Sequence, residues 1–136
     1  LLEILGQTAR DQGHYAQAQT WFERALALHQ KSGNPSGEAF NWDMLGIVAQ
    51  RQGHPTEAIV HETRALYLYQ NLGDVHMQGH VLGNLGVAHW TSGDYVQARQ
   101  WLEQALVINQ QLGDRRAEIA TLSNLGALSG ILGDPE

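Results

Sequence analysis

Apolar residues along the chain fall three or four positions apart, as at Leu82, Leu85 and Ala88 or at Trp101, Leu102, Ala105 and Leu106. That spacing lines them up on one face of an α-helix. The strict alternation of apolar and polar residues that marks a half-buried strand is missing throughout. Glycines punctuate the helical stretches: Gly13, Gly53 and Gly93 form one series, Gly33, Gly73 and Gly113 another. Glycine adopts the left-handed conformation of a helix C-terminus without a Cβ clash, so each of these is expected to end a helix. Asn34, Asp74 and Asp114 follow the second series, and their side chains can accept from the free amides of a new first turn. Pro35 and Pro55 fall where a first helical residue would stand, a position at which a missing N–H costs nothing. Asp94 and Gln97 have the spacing of a capping box. The pattern therefore predicts seven helices, over about 1–12, 15–32, 35–52, 55–72, 75–92, 95–112 and 115–132.

A repeat of 40 residues runs through these helices. Leu5-Gly6 recurs as Leu45-Gly46, Leu85-Gly86 and Leu125-Gly126, and Gly133 extends the series of Gly13, Gly53 and Gly93. Ala18, Ala58 and Ala98 keep the same step, as do Ala25-Leu26, Ala65-Leu66 and Ala105-Leu106. Each unit is a pair of helices joined by two or three residues, which makes neighbours antiparallel. Small residues at facing positions let the two backbones of a hairpin approach closely. The expected architecture is all-α: a single solenoid domain over 1–136, built of repeats at about 1–34, 35–74, 75–114 and a partial 115–136. Gly133-Asp134-Pro135 repeats the junction that would launch a further helix, and Leu1 begins inside a helical pattern. Both ends suggest a piece of a longer protein.

Composition narrows the range of partners. The chain has 136 residues, 43% of them hydrophobic, enough for a substantial core. Only 8 Lys and Arg stand against 14 Asp and Glu, a formal net charge of -6. Nucleic acid and anionic membrane both need a basic footprint, so neither is the expected partner. Cysteine is absent, which removes disulfides and thiolate metal sites and makes the cytoplasm the default location. No apolar run approaches the ~18 residues of a membrane span.

The repeat resembles the tetratricopeptide repeat along the whole chain. That family's unit carries a spaced Trp–Leu–Gly–Tyr set in its first helix and an Ala–Phe–Ala set in its second. Trp42, Leu45 and Gly46 match the first set; Leu2, Leu82 and Leu122 stand at the Trp42 position before their own Leu-Gly pairs. Ala18, Phe22 and Ala25 match the second, as do Ala98, Leu102 and Ala105. The unit departs from the family's usual period of ~34 residues and is similar to a long-helix subclass. The tyrosine position departs as well, reading Ala9, Ala49, His89 and Ser129. The resemblance implies a right-handed superhelix whose first helices line a concave groove for a partner protein or peptide, with no catalysis and no cofactor.

On that analogy the groove is lined by Phe40, Asp43, Ile47, Gln50 and Arg51 in one unit. His80, Gly83, Val87, Trp90 and Thr91 follow in the next, then Ser123 and Ala127. Gln7, Ile47, Val87 and Ala127 occupy positions where relatives that grip a terminal carboxylate carry a Lys/Asn clamp, so that clamp is absent. Trp90 is the expected aromatic anchor, the rival reading being that it packs beside the next unit. Trp21 and Trp101, on second helices, are expected to pack in the core or on the convex face. His76 and His80 are four apart and could face one Zn²⁺, but no further ligand stands at matching spacing, so no metal is expected. No glycine-rich phosphate loop or nucleophile–base grouping is evident. A row of Ile119, Leu122, Leu125, Leu128 and Leu132 on the last helix is expected to lie open and to drive self-association into a homo-oligomer. Two other roles fit the same residues: a ligand- or peptide-sensing segment of a larger bacterial regulator, and a structural spacer.

Overall fold

The computed structural model describes residues 1–133. Seven α-helices follow one another: α1 (Leu2–Asp11), α2 (Tyr15–Ser32), α3 (Pro35–Arg51), α4 (Pro55–Leu72), α5 (Val75–Thr91), α6 (Tyr95–Leu112) and α7 (Arg115–Leu132). Each predicted helix is present, with its ends within one residue of expectation. No strand occurs among the described residues. The Asp134-Pro135 junction lies outside them.

Glycine and the residue after it make the turns. Gly13, Gly53 and Gly93 have φ of +80°, +79° and +88°, a region closed to most side chains. This reversal lets the next amide reach back over the helix end: His14 N donates to the Ala9 carbonyl at 2.8 Å, and His54 N to that of Ala49 at 2.8 Å. At the second-helix ends Gly33, Gly73 and Gly113 are left-handed C-caps. The new helices then start on side chains. Asn34, Asp74 and Asp114 accept from the amides of Gly37, Met77 and Ala117. Asp94 accepts from Gln97 N at 3.2 Å, which is one half of the expected capping box. The other half has no donor to take, because the Asp94 amide is already given to the His89 carbonyl at 2.9 Å.

The chain divides into two compact units at the Gly73–Asp74 junction. In the first, α1 packs on α2, α2 on α3 and α3 on α4. Its core gathers Ala9, Ala18, Phe22, Leu26, Met44, Leu45 and Val48, with Tyr15, Trp21, Phe40, Trp42 and Ile47 packed around them. In the second, α6 packs on both α5 and α7. There Ala98, Leu102 and Leu128 are buried, flanked by Trp90, Tyr95 and Leu125. Leu128 therefore does not belong to an open row on α7. It has no exposed surface, because α7 turns it towards Ala98 and Leu102; Ile119 and Leu122 remain exposed.

One contact recurs inside every complete hairpin. A Cβ added at Gly6 would lie 2.6 Å from the Phe22 ring. At Gly46 it would lie 2.6 Å from Glu62 Cγ, and at Gly86 2.6 Å from Leu102 Cγ. The glycine of each Leu-Gly pair is thus a slot, and a side chain of the following helix fills it. At Gly126 no atom comes within 4 Å. The two environments predict opposite responses to alanine. Gly86→Ala should lower unfolding stability by about 1–2 kcal/mol, overpacking against Leu102 outweighing the better helix propensity. Gly126→Ala should raise it by up to about 1 kcal/mol. Urea unfolding of the two variants checks this, and a Gly86→Ala protein as stable as the parent would refute the slot.

Candidate functional site

In the second unit α5 and α7 stand as first helices of successive repeats, with α6 between them. Their facing sides enclose a hollow of about 280 Å³. The α5 wall supplies His76, Gly79, His80, Gly83, Asn84 and Val87. The floor comes from Leu102, Asn109 and Leu112 of α6, and the α7 wall from Ala117, Ala120, Thr121 and Asn124, with Asp114 at its start. The space exists because the walls carry small residues. Gly83 is one of them: a Cβ built there would touch nothing within 4 Å.

The lining is mixed and largely uncharged, its polar side chains set among apolar ones. Asn109, buried, donates through Nδ2 to Thr121 Oγ1 at 2.9 Å, and that hydroxyl donates on to the Ala117 carbonyl at 2.9 Å. Asn84 Nδ2 and His80 Nε2 lie 3.3 Å apart on the α5 wall. The Asp114 carboxylate accepts from Ala117 N at 3.1 Å, where the amides at the start of α7 favour negative charge.

The first unit fills the corresponding space between α1 and α3. Glu3 reaches from α1 and its Oε2 accepts from His29 Nε2 at 2.7 Å and from Asn41 Nδ2 at 2.9 Å. Asn41 Nδ2 also lies 2.8 Å from the Gly37 carbonyl. Burial pushes the Glu3 carboxyl up, but the hydrogen bonds from Asn41 and His29, together with the His29 charge, outweigh it and hold it below the usual carboxylate range.

A second, shallower hollow lies on the first unit between α3 and α4, lined by Glu38, Trp42, Thr63, Arg64, Tyr67 and Leu68. The Arg64 guanidinium sits 4.9 Å from the Trp42 ring centroid, and His61 stacks on the same ring at 5.4 Å. Burial, with Arg64 adding to it and Glu57 and Glu23 opposing, holds His61 below the usual imidazole value.

The residues expected to line a groove separate by depth. His80, Gly83 and Val87 come together in the second-unit hollow. Thr91 and Arg51 are exposed, and Ser123 and Ala127 are exposed on α7 without lining the hollow. Phe40 and Ile47 are half-buried against the first unit's core, and Gln50 is half-buried. Asp43 is a correction: with 0% exposure it presents no surface to a partner. Of the two readings of Trp90, the geometry favours packing, though the residue is only half-buried. It packs against the Ala98–Leu102–Leu128 cluster of α6 and α7 while keeping part of its surface exposed. Trp21 packs on the first core, and Trp101 stacks with His89 at 6.2 Å. Of the other lining residues, Asn84 and Asn124 stand one repeat apart and recur, whereas Asn109 and Thr121 replace the first unit's His29 and Asn41; the reading of the repeat singled out none of them. Among the described residues no three His, Asp or Glu side chains cluster as a metal site, and no helix is long and apolar enough to cross a membrane.

Comparison with known proteins adds the family. A family model described as tetratricopeptide repeat matches residues 1–71 and 77–136. No curated protein matches the sequence. Among solved structures, BtubC (BKLC) from P. vanneervenii is similar with a TM-score of 0.89 and 24% identity over 98% of this chain. The match spans 56% of the BtubC chain, so the sequence covers little more than half the length of that relative. The N-terminal domain of stress-induced protein-1 (STI-1) from C. elegans matches with a TM-score of 0.75 and 15% identity, over 94% of this chain and 91% of that one. Pseudomonas aeruginosa PilF matches with a TM-score of 0.60 and 19% identity, over 99% and 61%.

Two measurements follow from this geometry. Trp90→Ala should lower stability by about 3 kcal/mol, the cost of truncating a packed aromatic, in a denaturant titration; an unchanged midpoint would return Trp90 to the surface. Glu3→Gln should remove about 1 kcal/mol at neutral pH, the net worth of a hydrogen bond. Because the folded-state pKa of Glu3 is depressed, its contribution is present above the ordinary carboxylate value and is lost as pH falls through the folded one. The stability gap between parent and Glu3→Gln should therefore close on acidification, and a gap that widened would contradict the pairing.

Proposed function

The chain belongs to the tetratricopeptide repeat family, and from that premise we propose that it holds a partner protein or peptide against the first-helix walls of its repeats, without catalysing a reaction. Proteins of this fold are generally scaffolds for protein–protein interaction. The observation that supports a groove in this chain is the hollow between α5 and α7, where small residues leave space between the walls and His80, Gly83 and Val87 meet Asn84 and Asn124. An extended or helical segment laid along such walls gains contact area without requiring either helix to move, which keeps the ordering cost of binding low. No nucleic acid, membrane or cofactor enters the proposal. Its setting is the cytoplasm, where a chain without cysteine needs no oxidising compartment.

The test introduces bulk and charge on opposite walls. Val87 and Ala120 both line the hollow and both are exposed, so Val87→Arg with Ala120→Arg should fold as the parent does by circular dichroism. Capture of the partner from a lysate of the source cells should fall by about tenfold or more, the loss of ~1.4 kcal/mol or more of binding energy. Equal capture by parent and variant would overturn the groove as the recruiting surface.

A further inference from the structure

The face that joins a first helix to the second helix of its hairpin is covered elsewhere in this chain and open on α7. In α5 it consists of Gly79, Leu82, Gly86 and His89: the first three are buried, and His89 stacks on Trp101 of α6. Its counterpart in α3 is Ala39, Trp42, Gly46 and Ala49, where Gly46 receives Glu62 and Trp42 stacks with His61 of α4. One repeat beyond α5, the same positions in α7 are Ile119, Leu122, Gly126 and Ser129. There Ile119 is 65% and Leu122 47% exposed, and a Cβ at Gly126 would meet no atom within 4 Å. With 3.6 residues per turn, this side of α7 lies opposite the one that carries Ala117, Ala120, Thr121 and Asn124 to the hollow.

The helices already seated on this face show what fits it. Phe22, Glu62 and Leu102 fill the slots at Gly6, Gly46 and Gly86, and each has an alanine four residues before it and another three after. All six alanines are 2% exposed or less, so the incoming backbone comes down close on both sides of the filler. The pairing is antiparallel, since Gly79 near the start of α5 meets Ile108 near the end of α6. Two differences make α7 selective. Ile119 stands where α3 has Ala39 and α5 has Gly79, and a bare Cβ at Gly79 would already lie 2.8 Å from Ile108. An incoming helix therefore needs a small residue six positions after its filler, where the chain's own second helices carry Leu28, Leu68 and Ile108. Arg115, one turn before Ile119 on the same face, and its neighbour Arg116 are both exposed. Their guanidinium groups would meet the last turn of an antiparallel helix and favour carboxylates there.

We propose that the Ile119–Leu122–Gly126 face of α7 docks an amphipathic helix of a partner protein, antiparallel to α7. That helix places leucine or phenylalanine in the Gly126 slot, with alanine four before and three after it. It has a small residue six after the filler and acidic residues in its last turn. None of the chain's own second helices carries this combination, which favours a different protein over a second copy. The surface is separate from the hollow and does not rest on it.

The probe is a peptide of the α6 sequence, Tyr95–Leu112, stapled as a helix and carrying Ile108→Ala, Gln111→Glu and Leu112→Glu. Titrated into the whole chain by fluorescence anisotropy, it should bind saturably, and the unmodified α6 peptide should bind about tenfold or more weakly. Gly126→Ala should weaken the probe by about tenfold or more while making the chain itself more stable, so the loss is not unfolding. The Val87→Arg, Ala120→Arg pair in the hollow should leave probe binding as in the parent. No saturable binding, equal binding of the two peptides, or binding unchanged by Gly126→Ala would overturn the proposal. A dimer of the chain that Gly126→Ala dissolves and the probe does not compete would give the face to a second copy and overturn a different partner. Probe binding that disappears in a longer natural form of the chain would give the face to a segment of the same polypeptide, with the same consequence.

Discussion

The rest of the structure depends on how closely two helices of a hairpin can approach, and that distance is set at one glycine per repeat. Gly6, Gly46 and Gly86 each leave a gap where a methyl group would collide with the opposite helix. The fillers differ in chemistry: a phenyl ring at Phe22, a carboxylate side chain at Glu62, an isobutyl group at Leu102. What is common is the absence on one side, not the identity of the group on the other. A close-packed interior tolerates such variety because it is sensitive to volume at a contact before it is sensitive to type. With the helix pair held close, the Ala18, Ala58 and Ala98 positions are buried to 1% exposure or less, and the side chains that remain outward are free to vary.

This explains which parts of the molecule can be read without coordinates. Turns and helix ends are local. A left-handed glycine followed by an Asn or Asp cap determines them from four or five consecutive residues, and they recur with the period. All seven helices were legible for that reason. Depth along a first helix is not local. Asp43 and Val87 occupy successive positions around the same helical face in different repeats, yet one has no exposed surface and the other is 39% exposed. A periodic pattern tells which way a residue points; what stands opposite is decided by side chains tens of residues away. Trp90 illustrates the same gap, since it packs on the Ala98–Leu102–Leu128 cluster.

The polar groups between successive repeats were harder still, because they are the part of the sequence that does not repeat. His29 and Asn109 occupy one position and use their nitrogens on different partners, Glu3 in one case and Thr121 in the other. A search for recurrence discards such positions as noise. The signal that would have found them is the reverse one: places where the period is kept on either side and broken in between. Gly83, flanked by the regular Leu82 and Leu85, is such a place.

The slot and its filler lie on the two helices of one hairpin, whereas the Glu3–Asn41 and Asn109–Thr121 pairs span from one hairpin to the next. Gly6 with Phe22 falls within the first hairpin, but Glu3 reaches beyond the Gly33 turn to Asn41, and Asn109 reaches Thr121 across the Gly113 turn. A hairpin moved as a cassette would therefore keep its own shape and lose its neighbours. Rearranging the order of repeats by recombination would give chains that still form hairpins but meet mismatched polar groups at each new seam. The repeats are alike in form and ordered in sequence, so this chain is an array with addresses rather than a string of interchangeable parts.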